Sequence, residues 1–293
     1  MTTVATPTTR VPRFPNAAAW IGVAPFFVFA ALFLIVPTVS LLVGAFQDKD
    51  GGFTLDNIVR LWQPSILNSY KLSIEISVAS ALAGALAGFA LGLAALRGGL
   101  PGWVRPTLMT FSGVASNFAG VPLAFAFMAT LGRLGFVTLA LRGLGVDIYA
   151  AGFNLFTFSG LTLTYCYFQI PLMTLVMAPA IEGLKREWSE AAETLGASHL
   201  QYWRMVALPV LWPSLAGAAL LLFANAFGAV ATAYALTGSF LNITPILLYA
   251  QIRGDVLHDP NLGYALALGM LVITGASNLG YLALRARSDR WLR

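Results

Sequence analysis

The sequence is short of charge. Among 293 residues only 10% are Asp, Glu, Lys or Arg, while 58% are apolar; a soluble domain carries about 25% charged residues. A solvated globular enzyme is excluded on that ground alone. Lysine is scarcer still: Lys49, Lys71 and Lys185 are the three, and none follows a glycine as the lysine of a phosphate-cradling loop must, so ATP hydrolysis by this chain is excluded. The single cysteine, Cys166, rules out an internal disulfide and a cysteine-rich metal site, and its apolar neighbours describe a small buried hydrophobe. His199 and His258 are too far apart to make a local zinc pair, and each reads as a solvated loop histidine. No nucleophile–base pair is apparent, and no cofactor is expected.

What the chain has in quantity is long apolar runs. Stretches of about 20 such residues match a hydrocarbon core about 30 Å thick, where only a helix satisfies its own backbone. Six are present, at 17–46, 67–96, 107–131, 153–181, 208–236 and 262–284. An all-α membrane protein with six transmembrane helices follows. The first run is far longer than the core of a secretory signal and is read as an uncleaved span. Residues 1–16, rich in Thr and Pro, form a short tail, residues 17–66 the first helix with an external loop, 67–285 a five-helix core, and 286–293 a second tail.

With both termini inside, eleven of the seventeen cations fall on the inner side, among them Arg97, Arg105, Lys185, Arg186 and Arg204. The outer side keeps six cations and seven of the twelve acids. Short cytoplasmic loops hold the Lys/Arg excess in membrane proteins, so the net charge of +5 is a topology signal and not a nucleic-acid footprint. Span two also carries Gly84, Gly88 and Gly92 at four-residue spacing, a face on which another backbone can pack closely. Prolines at 25, 37, 122, 171, 209 and 213 lie within or at the ends of spans, as kinks or as hinges.

The longest inner loop, 182–209, is not a simple connector. Trp188, Ala191, Ala192 and Leu195 recur at i, i+3, i+4 and i+7, an apolar stripe too short to span anything, so a surface helix over 187–195 is expected. Gly196 then permits a sharp turn into a second short helix ending near Arg204. Within this loop stand Glu190-Ala191-Ala192, three residues, Gly196, nine residues, Val206, one residue, and Leu208-Pro209.

That spacing resembles the EAA loop of type I ABC importer permeases, the inner-membrane subunits of binding-protein-dependent importers. Val206 stands where the family usually has Ile; the other six positions match. The resemblance covers about residues 67–285, with span one as an extra helix. It implies that the loop is a coupling helix docking on a cytoplasmic ABC ATPase dimer, with Glu190, Ala191, Ala192, Gly196, Leu208 and Pro209 as the coupling residues. It further implies a second permease subunit, identical or paralogous, an external solute-binding protein, and a place in the cell inner membrane. Residues 115–127 and the Gly-Asp-containing loop after span five are loosely similar to spermidine/putrescine permeases, so a small, polyamine-like solute is expected.

Polar residues at mid-span are costly in lipid and face a bundle interior or a wet cavity. Ser112 and Ser116 with Asn117, then Thr162, Tyr165 and Gln169, then Asn225 and Thr232 are spaced to share faces of spans three, four and five. Asn117, Gln169, Asn225 and Thr232 are the candidate pathway residues, with interhelical hydrogen bonding as the equal alternative. An ion-coupled secondary transporter is the competing function. Such proteins keep an ionisable group deep in a span, and here only Glu75, in the outer third of span two, comes near that description.

Overall fold

The computed structural model describes residues 17–238, 240–253 and 259–291. The first apolar run is helical over α1 (Ala17–Ala30), widens into a π turn at Ala31–Ile35, and continues as α2 (Val36–Gly44). The widening ends two residues before Pro37. A second π turn, Trp203–Ala207, likewise ends two residues before Pro209. Proline has no N–H and its ring crowds the preceding turn, which loosens the carbonyl ladder there.

A short helix, α3 (Asp56–Arg60), leads into α4 (Pro64–Arg97). With 34 residues, α4 is about 51 Å long and overruns the hydrocarbon core. The bundle continues with α5 (Val104–Asn117), α6 (Val121–Leu131), α7 (Phe136–Gly143) and α8 (Phe158–Glu182). Two short helices follow, α9 (Arg186–Thr194) and α10 (His199–Tyr202), then α11 (Leu208–Phe227), α12 (Val230–Thr237), α13 (Thr244–Arg253) and α14 (Pro260–Trp291). Six stretches are long and apolar enough to cross a membrane: Trp20–Gly44, Pro64–Arg97, Val121–Gly143, Phe158–Glu182, His199–Phe227 and Pro260–Ala286.

Three boundaries differ from the sequence reading. The run at 107–131 is broken at Phe118–Gly120, where Gly120 takes φ +75°, and its first half is interrupted by Thr107, Thr110 and Ser112. Its most apolar part therefore starts at Val121. The run at 208–236 is broken at Gly228–Ala229, and the last helix continues past residue 285 to Trp291. The tail at 1–16, His258 and the Gly254-Asp255 loop lie outside the described residues.

The glycine stripe of α4 does what its spacing requires. A β-carbon at Gly84 would stand 2.7 Å from Gln169 Cβ, and one at Gly88 would stand 2.5 Å from the Ile170 carbonyl oxygen and 2.6 Å from Met173 Cβ. The α4 and α8 backbones thus touch. Thr174 Oγ1 donates to the Gly88 carbonyl at 3.0 Å, and Gln169 Nε2 donates to Ser80 Oγ at 2.7 Å, across the same seam. Two apolar clusters flank it. One joins Ile76, Leu123, Tyr165, Phe168 and Leu236; the other joins Met173, Met177, Ile181, Tyr202, Leu211 and Leu222. By contrast, none of the described side chains of the first helix is buried before Gly44, where an added β-carbon would stand 2.4 Å from the Tyr264 ring.

At the end of the bundle opposite the 182–209 loop, Arg60 Nη1 reaches Asp259 Oδ2 at 2.7 Å and ties α3 to the start of α14. Burial pushes the Asp259 carboxyl up, but hydrogen bonds from Arg60 and the Leu262 N–H, with the charges of Arg60 and Lys49, outweigh it and hold the group below the usual carboxylate range. A depressed folded value means the tie stabilises at neutral pH and is lost as pH falls through that value.

Two outcomes follow from this packing. Gly88→Leu drives a side chain into the α8 backbone, so thermal stability of the purified chain should fall by about 1–3 kcal/mol or more, whereas Gly102→Leu, in open space, should leave it unchanged. Acidification below about pH 4 should speed hydrogen exchange in the first turn of α14, and Arg60→Ala should move that onset to higher pH.

Candidate inner-loop coupling site and mid-membrane polar residues

The 182–209 loop is fixed from both of its ends. Where α8 stops, the Arg97 guanidinium at the end of α4 donates to the carbonyls of Ile181, at 2.9 Å, and of Leu184. A cation on the last carbonyls of a helix satisfies orphaned acceptors and complements the dipole. Beside it Arg105 pairs with Glu182. The chain then turns into α9, one residue ahead of the expected start.

The stop and restart at Gly196 are built from backbone bonds. Ala197 N–H bonds the Ala192 carbonyl at 3.0 Å and Gly196 N–H bonds the Glu193 carbonyl at 2.9 Å, a Schellman closure with Gly196 at φ +77°. Two residues on, Ser198 N–H donates to Gln201 Oε1 at 2.7 Å while Gln201 N–H donates to Ser198 Oγ at 3.3 Å, the reciprocal box that opens α10. One helix is closed and the next opened within three residues. The angle between them is therefore set locally. Sequence inspection found the glycine but missed the Ser198–Gln201 box, whose S-x-x-Q spacing was available to be read.

The knob sits on the inner cluster through buried Tyr202 and Ala207, with Trp188, Ala192, Trp203 and Val206 packed partly against it. Glu190, Ala191 and Gly196 face outward, Ala192 is half-buried, and Leu195 is 86% exposed. Together Trp188, Ala191, Ala192, Leu195, Val206 and Val210 line an open groove of about 370 Å³. Glu190 is held by Arg186 at 2.9 Å, an exposed i,i+4 pair; such pairs contribute about 0.3–0.5 kcal/mol, so the carboxylate is readily surrendered to another cation. Leu208 and Pro209 stand apart from this surface, exposed where the π turn Trp203–Ala207 runs into α11. His199 is exposed, and its Nε2 accepts from Trp203 Nε1 at 2.9 Å.

The four mid-span residues divide into two pairs. Gln169 and Thr232 are buried between helices: Gln169 binds Ser80, with its Oε1 left without a partner, and Thr232 Oγ1 accepts from Gly120 N at 2.7 Å. Asn117 and Asn225 are exposed, Asn117 donating back to the Gly113 carbonyl at 2.8 Å. Asn225 and Thr232 do not share one continuous face, because the break at Gly228–Ala229 falls between them.

That break and the one at Phe118–Gly120 meet. The Gly120–Thr232 bond joins them, and the Tyr165 hydroxyl donates to the Ala229 carbonyl at 2.7 Å. Freed backbone groups inside a membrane need partners of this kind. Sequence reading missed the junction, although Gly120 followed by Pro122 is a helix-start signal.

No family model matches the chain. Among curated proteins it is similar to the molybdenum transport system permease protein ModB of Mycobacterium tuberculosis, 27% identical over 191 residues, or 64% of this chain and 67% of that one. It is similar also to the spermidine/putrescine transport system permease protein PotB of Escherichia coli, 26% identical over 205 residues, covering 67% and 73% of the two chains. With the sulfate transport system permease protein CysT of Salmonella typhimurium it shares 29% identity over 101 residues, 33% of this chain and 36% of that one. A solved bacterial ABC transporter involved in the import of the acidic polysaccharide alginate has the same fold, with a TM-score of 0.68 over 93% of this chain and 95% of that one, at 18% identity. In its loop spacing, its six apolar helices and these relatives the chain is similar to the permease subunits of type I ABC importers.

Proposed function

We propose that this chain carries a small polar solute across the cell inner membrane, powered by a separate ABC ATPase dimer that grips the α9–α10 knob. The observation that carries the reading is the build of the knob. Its motif residues Glu190, Ala191 and Gly196 are turned outward on a support fixed by the Schellman closure, the Ser198 box and the Arg97 clamp. Small alanines permit close seating, the outward carboxylate offers a charge to a basic partner group, and Leu195 supplies apolar area. Leu208 and Pro209 contribute by setting the direction of α11, which passes the knob's displacement to the helix breaks.

The pathway face is the one that shows Asn117 and Asn225. Exposed carboxamides on otherwise apolar helices are costly against lipid, which supports a second permease subunit and a wet interface there. Gln169 and Thr232 act as interhelical bonds that hold that face. Delivery of the solute by an external binding protein agrees with the alginate transporter, one structure of which is a complex with an alginate-pentasaccharide-bound periplasmic protein. The names of the relatives span molybdenum, sulfate and polyamine transport. The described part of the mid-membrane face offers carboxamides and backbone rather than charge, which leaves the choice of solute to the delivering protein. Ion-coupled transport finds no deep ionisable group among the described residues: Lys71 and Glu75, exposed and 3.9 Å apart, lie near the N-terminal end of α4.

The test is uptake by vesicles holding the chain with its ATPase. Gly196→Val places a β-branched residue at positive φ, a strain of about 1–2 kcal/mol, and should sever uptake from ATP hydrolysis while insertion is kept. Glu190→Ala should weaken ATPase association about threefold. Uptake that persists without ATP on an ion gradient alone contradicts the proposal.

A further inference from the structure

On the flank of the bundle away from Asn225, α4, α11 and α14 leave an open apolar groove of about 520 Å³. Ile74, Val78 and Leu82 line it at i, i+4 and i+8 from α4, and Ala216, Ala219 and Phe223 at i, i+3 and i+7 from α11. Asn225 follows Phe223 by two residues, about 200° around the helix, so groove and proposed pathway use opposite sides of α11. Lys71 stands one turn outward from Ile74 and Glu75 directly beside it, with side-chain exposures of 73% and 49%; their charged atoms meet at 3.9 Å. They are the one described ion pair within a membrane-crossing helix of the outer half, and each is only loosely engaged by the other.

We propose that this flank is a binding site for one zwitterionic, ethanolamine-type phospholipid. Lys71 takes the phosphate, Glu75 takes the primary ammonium, and one acyl chain lies in the groove.

Depth supports this occupant. The α4 wall from Ile74 to Leu82 lies about 4–17 Å along the axis from Lys71 at 1.5 Å per residue, which is the thickness of one leaflet of a core about 30 Å across. Charge supports it too. An adjacent cation and anion at one headgroup level match a headgroup carrying both signs, while a purely anionic headgroup meets repulsion from Glu75 and a quaternary ammonium cannot donate a hydrogen bond to it. The alanines set the depth of the floor. Exposed Ile74, Val78 and Leu82 give an acyl chain apolar contact along its length.

The experiment is native mass spectrometry of the full chain, released from bilayers with equal parts ethanolamine, choline and glycerol phospholipids. One retained ethanolamine lipid per chain is expected. Lys71→Glu should lower that retention about threefold or more, and the exchanged pair Lys71→Glu with Glu75→Lys should recover it. Ala219→Phe should abolish retention of every headgroup; circular dichroism and monodisperse elution check that this variant is folded, and the exposed charge variants test the site independently. Headgroup-blind retention in the wild type, or retention unchanged by Lys71→Glu, overturns the proposal. A dimer with no retained lipid, in which a cysteine introduced at Ala219 on a Cys166→Ser background is shielded from thiol reagents, overturns it in favour of a second copy of the chain.

Discussion

The close approach of α4 and α8 is the constraint on which the rest of the molecule depends. Two backbones touch along Gly84 and Gly88, where side chains on either partner would hold them apart. That contact lets Thr174 reach a carbonyl of α4 and Gln169 reach Ser80. Farther along α4, Arg97 is carried to the end of α8 and closes over its last carbonyls. The seam thus extends from the middle of the membrane to the root of the inner loop. Under the proposed function, a displacement applied to the knob would meet a pair of helices that cannot slide without breaking polar contacts in a low-dielectric interior, where such contacts are costly to leave unmade.

The second device is a pair of broken helices that meet. The breaks at Gly120 and Ala229 leave backbone groups that lipid cannot satisfy, and the Thr232 and Tyr165 hydroxyls answer them. Under the proposed function, the displacement that α11 passes to these breaks would move α6 and α12 about this junction while α4 and α8 stay fixed. Rigid seam and jointed segments lie side by side in one chain.

Several of these features were legible in the sequence, for identifiable reasons. Glycines four apart announce a close contact because nothing else occupies that face so regularly. The inner loop was legible because its amphipathic stripe is too short to span and Gly196 interrupts it. The breaks were not, because Pro and Gly occur throughout membrane helices and composition alone does not separate a kink from a stop. Exposure was hidden for another reason: Asn225 and Thr232 are seven apart and would share a face on a straight helix, but a two-residue interruption sends one outward and the other inward. The isolation of α1 from its own bundle was equally hidden, since apolar composition is the same whether a helix meets lipid or protein.

The account turns on the α9–α10 knob being an inner-face handle for another protein's work. A cysteine at Ala191 on a Cys166→Ser background, in the complete transporter in oriented membranes, tests this most directly. Membrane-impermeant thiol reagents should reach it only from the face opposite the binding protein, and a photoactivatable probe attached there should crosslink to the ATPase subunit. Labelling from the binding-protein side, or a probe that crosslinks to no ATPase, contradicts the account.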